Sequence, residues 1–182
     1  MRVYRSQQEK RIRNSSDLMQ VCGVPILPLA NGSVIEGPCS LITTSDFKDI
    51  VAEALEMFRF NILLKNRYDI HSPPDKVLVY LMVWIRDLLA ISDATAVRSV
   101  EELEALFVTA AKAASPLPGD EAFKMNQFFD QPASDKERTL CEKYLTQLRA
   151  ETGKRLAARL WEGDSGVSKW WSQYRKITFM GF

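Results

Sequence analysis

Nine consecutive residues, Val77-Leu-Val-Tyr-Leu-Met-Val-Trp-Ile85, offer an apolar side chain on every face of whatever element they form. The segment therefore has to be enclosed by the rest of the chain. Its β-branched content suits a buried strand. The start signal, however, is that of a helix: Ser72 is placed as an N-cap, Pro73 falls at the first helical position and Asp75 sits at capping-box spacing. Leu88, Leu89 and Ile91 carry the apolar character beyond the usual length of a strand. The reading is a helix that other helices surround. Because Arg86 and Asp87 interrupt it, the run is far short of the roughly 20 residues a bilayer span needs.

Three further helices follow from periodicity. Phe47, Ile50, Val51, Ala54, Leu55, Phe58 and Ile62 repeat at helical spacing behind Thr44 or Ser45 as cap, with an end expected near Asn66. Ser99 with Glu102 opens a helix carrying Leu103, Leu106, Phe107 and Ala110, which stops before Ser115-Pro-Leu-Pro-Gly119. Ser134 with Glu137 opens a long one whose buried side is marked by Leu140, Tyr144, Leu148, Leu156 and Leu160. Gly153 within it predicts a close backbone approach or a bend. Between these two helices, Phe123, Phe128 and Phe129 predict a loop that packs down. A short last helix spans Ser168 to about Lys176. Residues 1–45 read as an irregular N-terminal segment in which Val24-Pro-Ile-Leu-Pro-Leu29 forms an extended apolar strap, since each proline removes a donor and disfavours helix before it. The expectation is an all-α single domain, residues 1–182, of about five helices with one apolar helix enclosed by the others.

Composition excludes more than it selects. A net charge of +1 gives no global field toward nucleic acid or membrane. The first 13 residues are locally basic, with Arg2, Arg5, Lys10, Arg11 and Arg13 against Glu9. Three cysteines, Cys22, Cys39 and Cys141, are odd in number and irregularly spaced, which argues against a disulfide framework or a zinc site. A reducing intracellular compartment is the simplest expectation. The basic start leads into Asn14-Ser-Ser-Asp17 and not an apolar core, unlike a secretory signal, and it lacks the apolar face of a transit peptide.

Catalytic patterns are missing. His71 is alone, no phosphate-binding glycine loop or nucleophile elbow occurs, and Glu101-Glu102 and Asp120-Glu121 sit where a helix start and a turn want acids. Neither catalytic residues nor a cofactor or metal is expected. What stands out is a partner-binding pattern. From Lys136 to Arg159 the long helix holds seven basic residues against three glutamates, and its second half presents Arg149, Lys154, Arg155 and Arg159 against Glu151. That pattern fits a solvated helix face, or a patch for an acidic protein surface or nucleic acid. Trp170 and Trp171 are adjacent, and neighbouring helical residues point about 100° apart, so the two indoles cannot share one core. One of them, with Lys169 beside it and Phe179 beyond, is expected to meet a partner.

Four ordered segments resemble a known family. They are Asp49-Ile-Val-x-Glu-Ala54 leading to Phe58 and Lys65-Asn66; Tyr80 and Ile85 in the apolar helix; Pro116-x-Pro-Gly119 with Phe123 and Asn126; and Tyr144-Leu-x-Gln-Leu-Arg-x-Glu-Thr-Gly-x-Arg-Leu156 with Ser168-Lys-Trp-Trp171 and Phe179-Met180. The set is similar to subunit 3, the 21-kilodalton subunit family, of the actin-related protein 2/3 complex, which nucleates branched actin filaments. Matches are sparse over residues 91–112 and loose at Tyr4, Ser6 and the Gly23–Leu29 strap, as in a divergent eukaryotic member. The resemblance implies a helical, non-catalytic subunit that docks on actin-related protein 3 and lies near the mother filament. It also implies that ATP binding belongs to the actin-related subunits. The expected setting is the cytoplasmic actin cytoskeleton. Two other classes remain open beside it: a small helical nucleic-acid-binding module using the basic helix face, and a small enzyme built around His71.

Overall fold

The computed structural model describes residues 5–13, 18–30, 34–63, 70–161 and 166–176. Six α-helices occur among them: α1 (Gln8–Arg13), α2 (Ile50–Leu63), α3 (Pro73–Ala94), α4 (Val100–Lys112), α5 (Asp135–Leu160) and α6 (Lys169–Ser172), the last running into a 3-10 turn, Gln173–Lys176. The apolar run is the middle of α3. Its start is built as its sequence predicts: the Ser72 N–H and hydroxyl both donate to Asp75 Oδ2, at 2.9 and 2.8 Å. Val77, Leu78, Val79, Leu81, Met82, Ile85, Leu88 and Leu89 are buried, and α2, α5, α6 and the strap all pack on this helix.

The fold is mostly helical and not strictly all-α. Four two-residue strands lie in the N-terminal region, which is therefore less irregular than its prolines suggest: β1 (Gln20–Val21), β2 (Val24–Pro25), β3 (Leu29–Ala30) and β4 (Leu41–Ile42). Strands β1 and β2 pair antiparallel, Val21 opposite Val24, across a two-residue turn in which Cys22 (φ 47°) and Gly23 (φ 73°) are both left-handed. A Cβ on Gly23 would lie 2.3 Å from Asp130 Oδ2, so glycine is required there by space as well as by backbone. Strands β3 and β4 pair in parallel, Leu29 opposite Leu41. Helix α1 is a further element in the segment read as irregular.

The cap of α2 also differs from expectation. It is Asp49, whose Oδ1 accepts the Ala52 N–H at 2.8 Å, while Phe47 precedes the helix in a turn closed onto the Thr44 carbonyl. A carboxylate bonding the third helical N–H satisfies an orphan donor and complements the helix dipole, which outweighs the hydroxyls of Thr44 and Ser45. The expected end near Asn66 lies outside the described residues, and so does the side chain of Ile62. Helices α4 and α5 start at their predicted serine caps, where Ser99 and Ser134 each accept the N–H of the glutamate three residues on, both at 3.2 Å.

Helix α5 lies against α4 on one side and the strap on the other. Gly153 allows the first contact: a Cβ there would be 2.9 Å from Phe107 Cβ and 3.5 Å from its carbonyl carbon. The strap side is polar. Glu137, Tyr144, Gln147, Glu151 and Arg155 form one stripe at helical spacing, and every member bonds the N-terminal region. Glu137 Oε1 accepts the Cys22 N–H at 2.9 Å. The Tyr144 hydroxyl accepts the Leu27 N–H at 3.2 Å and donates to the Pro25 carbonyl at 3.0 Å. Gln147 Oε1 accepts the Cys39 N–H at 2.9 Å. A buried extended segment needs partners for its backbone groups, and side chains of α5 supply them.

Candidate partner-binding site

The four basic residues of the second half of α5 do not share one exposed face. Lys154 and Arg159 are exposed. Arg155 is turned inward, its Nη1 donating to Asp49 Oδ1 at 2.8 Å, Nε to Glu151 Oε1 at 2.6 Å and Nη2 to the Ala30 carbonyl at 3.1 Å. Asp49 is fully buried and also accepts the Ala30 N–H at 2.7 Å, so this cluster ties α2, α5 and β3 together. Two acidic partners and a carbonyl occupy Arg155. The spacing Asp49-Arg155 is too long for sequence periodicity to reveal.

Arg149 is only 3% exposed. Its guanidinium carbon lies 5.6 Å from the centre of the Trp84 ring, and its Nη2 donates to Thr146 Oγ1 at 2.9 Å. The Trp84 indole N–H in turn donates to the Arg149 carbonyl at 3.1 Å. Arg149 forms part of the wall of a cleft of about 240 Å³ between α3, α5 and the loop before α5. Tyr80, Val83, Trp84, Pro116, Phe123 and Met125 give the cleft its apolar walls, and Lys124 and Asp87 add charge. Burial pushes the Tyr80 hydroxyl pKa up, opposed by the positive charge of Arg149. Phe123 and Phe129 pack edge to face, 5.5 Å apart, and both meet Tyr80, so the loop packs down as its aromatic residues predict, with Phe128 partly buried. Sequence reading passed over Tyr80, Trp84 and Lys124 as binding groups. The available signal was the spacing of Tyr80, Trp84 and Asp87 along α3, two amphipathic rings and a carboxylate on one face of an otherwise apolar helix.

The adjacent tryptophans separate as helix geometry requires. Trp171 stacks on the buried Phe58 at 6.0 Å between ring centres, and Tyr174 meets the same ring edge-on at 6.1 Å. Trp170 is 68% exposed, with Lys169 exposed beside it. Phe179 lies outside the described residues. His71 is exposed at the start of α3, where its backbone N–H donates to Asp75 Oδ2 at 3.2 Å. Among the described residues no group of three His, Cys, Asp or Glu side chains is arranged to hold a metal ion. No helix among them is long and apolar enough to cross a membrane.

A mostly helical body whose buried polar side chains bind its own backbone, with an exposed indole and the exposed cations Lys154, Arg159 and Lys169 at its surface, defines a class of small interaction proteins. Comparison with known proteins narrows it. The family described as P21-Arc, the ARP2/3 complex ARPC3 (21 kDa) subunit, matches residues 1–182. The chain is 34% identical to actin-related protein 2/3 complex subunit 3 of Arabidopsis thaliana over 161 residues, covering 88% of this chain and 89% of the relative. It is 33% identical to the Dictyostelium discoideum subunit 3 over 180 residues, covering 98% and 97%. The Saccharomyces cerevisiae subunit 3 is 32% identical over 159 residues, covering 85% of each chain. The chain belongs to the family of subunit 3 of the actin-related protein 2/3 complex.

Proposed function

We propose that this chain is a structural, non-catalytic subunit of the actin-related protein 2/3 complex that supports nucleation of branched actin filaments by docking on actin-related protein 3. The other subunits of the complex and the mother filament are its further partners, and the cytoplasmic actin cytoskeleton is its setting. The observation that carries the docking reading is Trp170. A large apolar side chain that is 68% exposed, next to an indole that the fold does absorb, is the kind of anchor that fills a partner's pocket. Lys169, Lys154 and Arg159 supply exposed cations for a charged rim.

Nucleic-acid binding is less favoured by the same geometry. With Arg149 buried and Arg155 held by Asp49 and Glu151, two exposed cations remain of the four expected on α5. His71 belongs to no group of three metal-ligating side chains among the described residues.

Co-expression of the full chain with actin-related protein 3 and the remaining subunits tests the docking reading. The intact chain is expected to purify with actin-related protein 3. Trp170→Ala is expected to weaken that association by about 2 kcal/mol, roughly 30-fold, the scale of an interface hot spot. Failure of the intact chain to purify with actin-related protein 3, or full retention by Trp170→Ala, would overturn it.

A further inference from the structure

The cleft between α3, α5 and the 115–125 loop contains a buried positive charge that no carboxylate of the described residues pairs with. Arg149 is 3% exposed, and its Nε is buried with no hydrogen-bond partner. Its other contacts are a threonine hydroxyl, the Tyr80 side chain and the face of Trp84, and none of these carries a negative charge. No carboxylate of the described residues forms an ion pair with it, although Arg155, six residues on, has two. The one acid of the cleft, Asp87, is already bound by Arg86 at 2.7 Å and approached by Lys124 at 3.9 Å. Buried charges in folded proteins are paired, because desolvation is otherwise uncompensated.

We infer that this cleft binds an extended segment of a partner protein, one that places a carboxylate against Arg149 and an adjacent aromatic or large apolar side chain between Trp84, Phe123 and Pro116. The chemistry of the walls sets both halves of that ligand. Two cations, Arg149 and Lys124, against an already engaged Asp87 select an acid. The apolar walls select an apolar neighbour, and a volume of about 240 Å³ holds one or two side chains and not a larger ligand. Trp170 is not among the lining residues, so this is a second surface, independent of the docking proposed above.

The isolated full-length chain tests the inference, so that a negative result leaves incorporation into the complex untouched. The probes are two synthetic peptides, acetyl-Phe-Asp-amide and its uncharged counterpart acetyl-Phe-Asn-amide. Binding is followed by the NMR signal of the Trp84 indole N–H. The acidic peptide is expected to bind at least about tenfold more tightly than the neutral one, the scale of a charge-assisted hydrogen bond in a desolvated site. Ala122→Trp, at an exposed position on the rim, fills the cleft from outside and is expected to abolish the shift while the chain stays folded. Arg149→Met is expected to erase the preference for the acidic peptide and to raise the thermal midpoint of the free chain. Equal affinity for the two peptides, or binding unchanged by Ala122→Trp, would overturn the inference. So would binding that requires deletion of residues 177–182, since the occupant would then be the chain's own end. If Arg149→Met fails to fold, the peptide pair and Ala122→Trp still decide it.

Discussion

Replacing Arg155 by methionine separates an internal role from a surface role for the basic half of α5. The substitution keeps much of the aliphatic stem and removes the guanidinium, whose three bonds reach Asp49, Glu151 and the Ala30 carbonyl. Asp49 is fully buried, so its carboxylate loses a counter-charge with no water to replace it. Breaking one side of a buried pair costs about 3–5 kcal/mol. Asp49 keeps the Ala30 and Ala52 N–H groups, and the side chain of Arg155 is 22% exposed, so we place the loss at the lower end, about 3 kcal/mol. For a chain of 182 residues that lowers the thermal midpoint by about 6–12 °C. Urea unfolding followed by far-ultraviolet circular dichroism measures it, with an unchanged slope expected. The double variant Asp49→Asn, Arg155→Met should recover at least about 1 kcal/mol of the loss, because the stranded charge is gone. Lys154→Ala, one residue away and exposed, should stay within about 0.5 kcal/mol of the parent. A loss below about 1 kcal/mol for Arg155→Met would refute the internal role and return the residue to the surface.

Three other outcomes follow from the geometry. Gly153→Ala gains about 1 kcal/mol of helix propensity but drives a Cβ to within 2.9 Å of Phe107, so stability should fall by about 1 kcal/mol net; a stabilised variant in urea unfolding would show the α4–α5 contact to be looser than described. Burial pushes the Cys39 thiol from 9.0 to about 12, with Asp49 and Glu151 adding to it, and raises those of Cys22 and Cys141 as well. The native chain should therefore react with a disulfide reagent at neutral pH far more slowly than the unfolded one, by about a thousandfold at Cys39, and rapid native labelling would contradict it. The Cys22 and Ala133 N–H groups hold the Glu137 carboxyl below its ordinary 4.5, and the Leu117 N–H with Arg138 holds Asp120 below 3.8. The folded state binds fewer protons at both, so their stabilisation is complete above the ordinary values and is lost as pH falls through the lowered ones. Urea midpoints should drop as pH falls from 5 to 3, and Glu137→Gln should flatten that drop.

Local signals carried the helical framework. Ser72, Ser99 and Ser134 each stand before an apolar period, and each caps the helix expected of it. The tryptophan pair was equally legible, because adjacency on a helix forces divergence. The N-terminal region was not. Its strands are two residues each, too short for a period to show, and its bonds to α5 depend on partners such as Gln147 for Cys39 and Tyr144 for Leu27, which lie 108 and 117 residues away. For the same reason Arg149 and Arg155 read as surface cations: charge on a helix is visible in sequence, whereas the buried Asp49 or the Trp84 ring that receives it is not. The cap of α2 was missed although Asp49 is a good cap residue, because Phe47 fits the helical period by chance.

The stripe on α5 has a consequence for the order in which the chain is made. Cys22, Leu27, Ala30 and Cys39 find their α5 partners 115, 117, 125 and 108 residues downstream. At ribosomal speeds that separation is on the order of ten seconds or more. Throughout that interval the apolar strap Val24–Leu29 has been synthesised, but the helix that satisfies its backbone has not. Pro25 and Pro28 lack an N–H and so offer no donor to a further strand at those positions, which leaves the waiting segment a poor template for another nascent chain. Until the last long helix arrives to close the strap, Pro25 and Pro28 mark the two positions at which its backbone has no N–H left waiting for a partner.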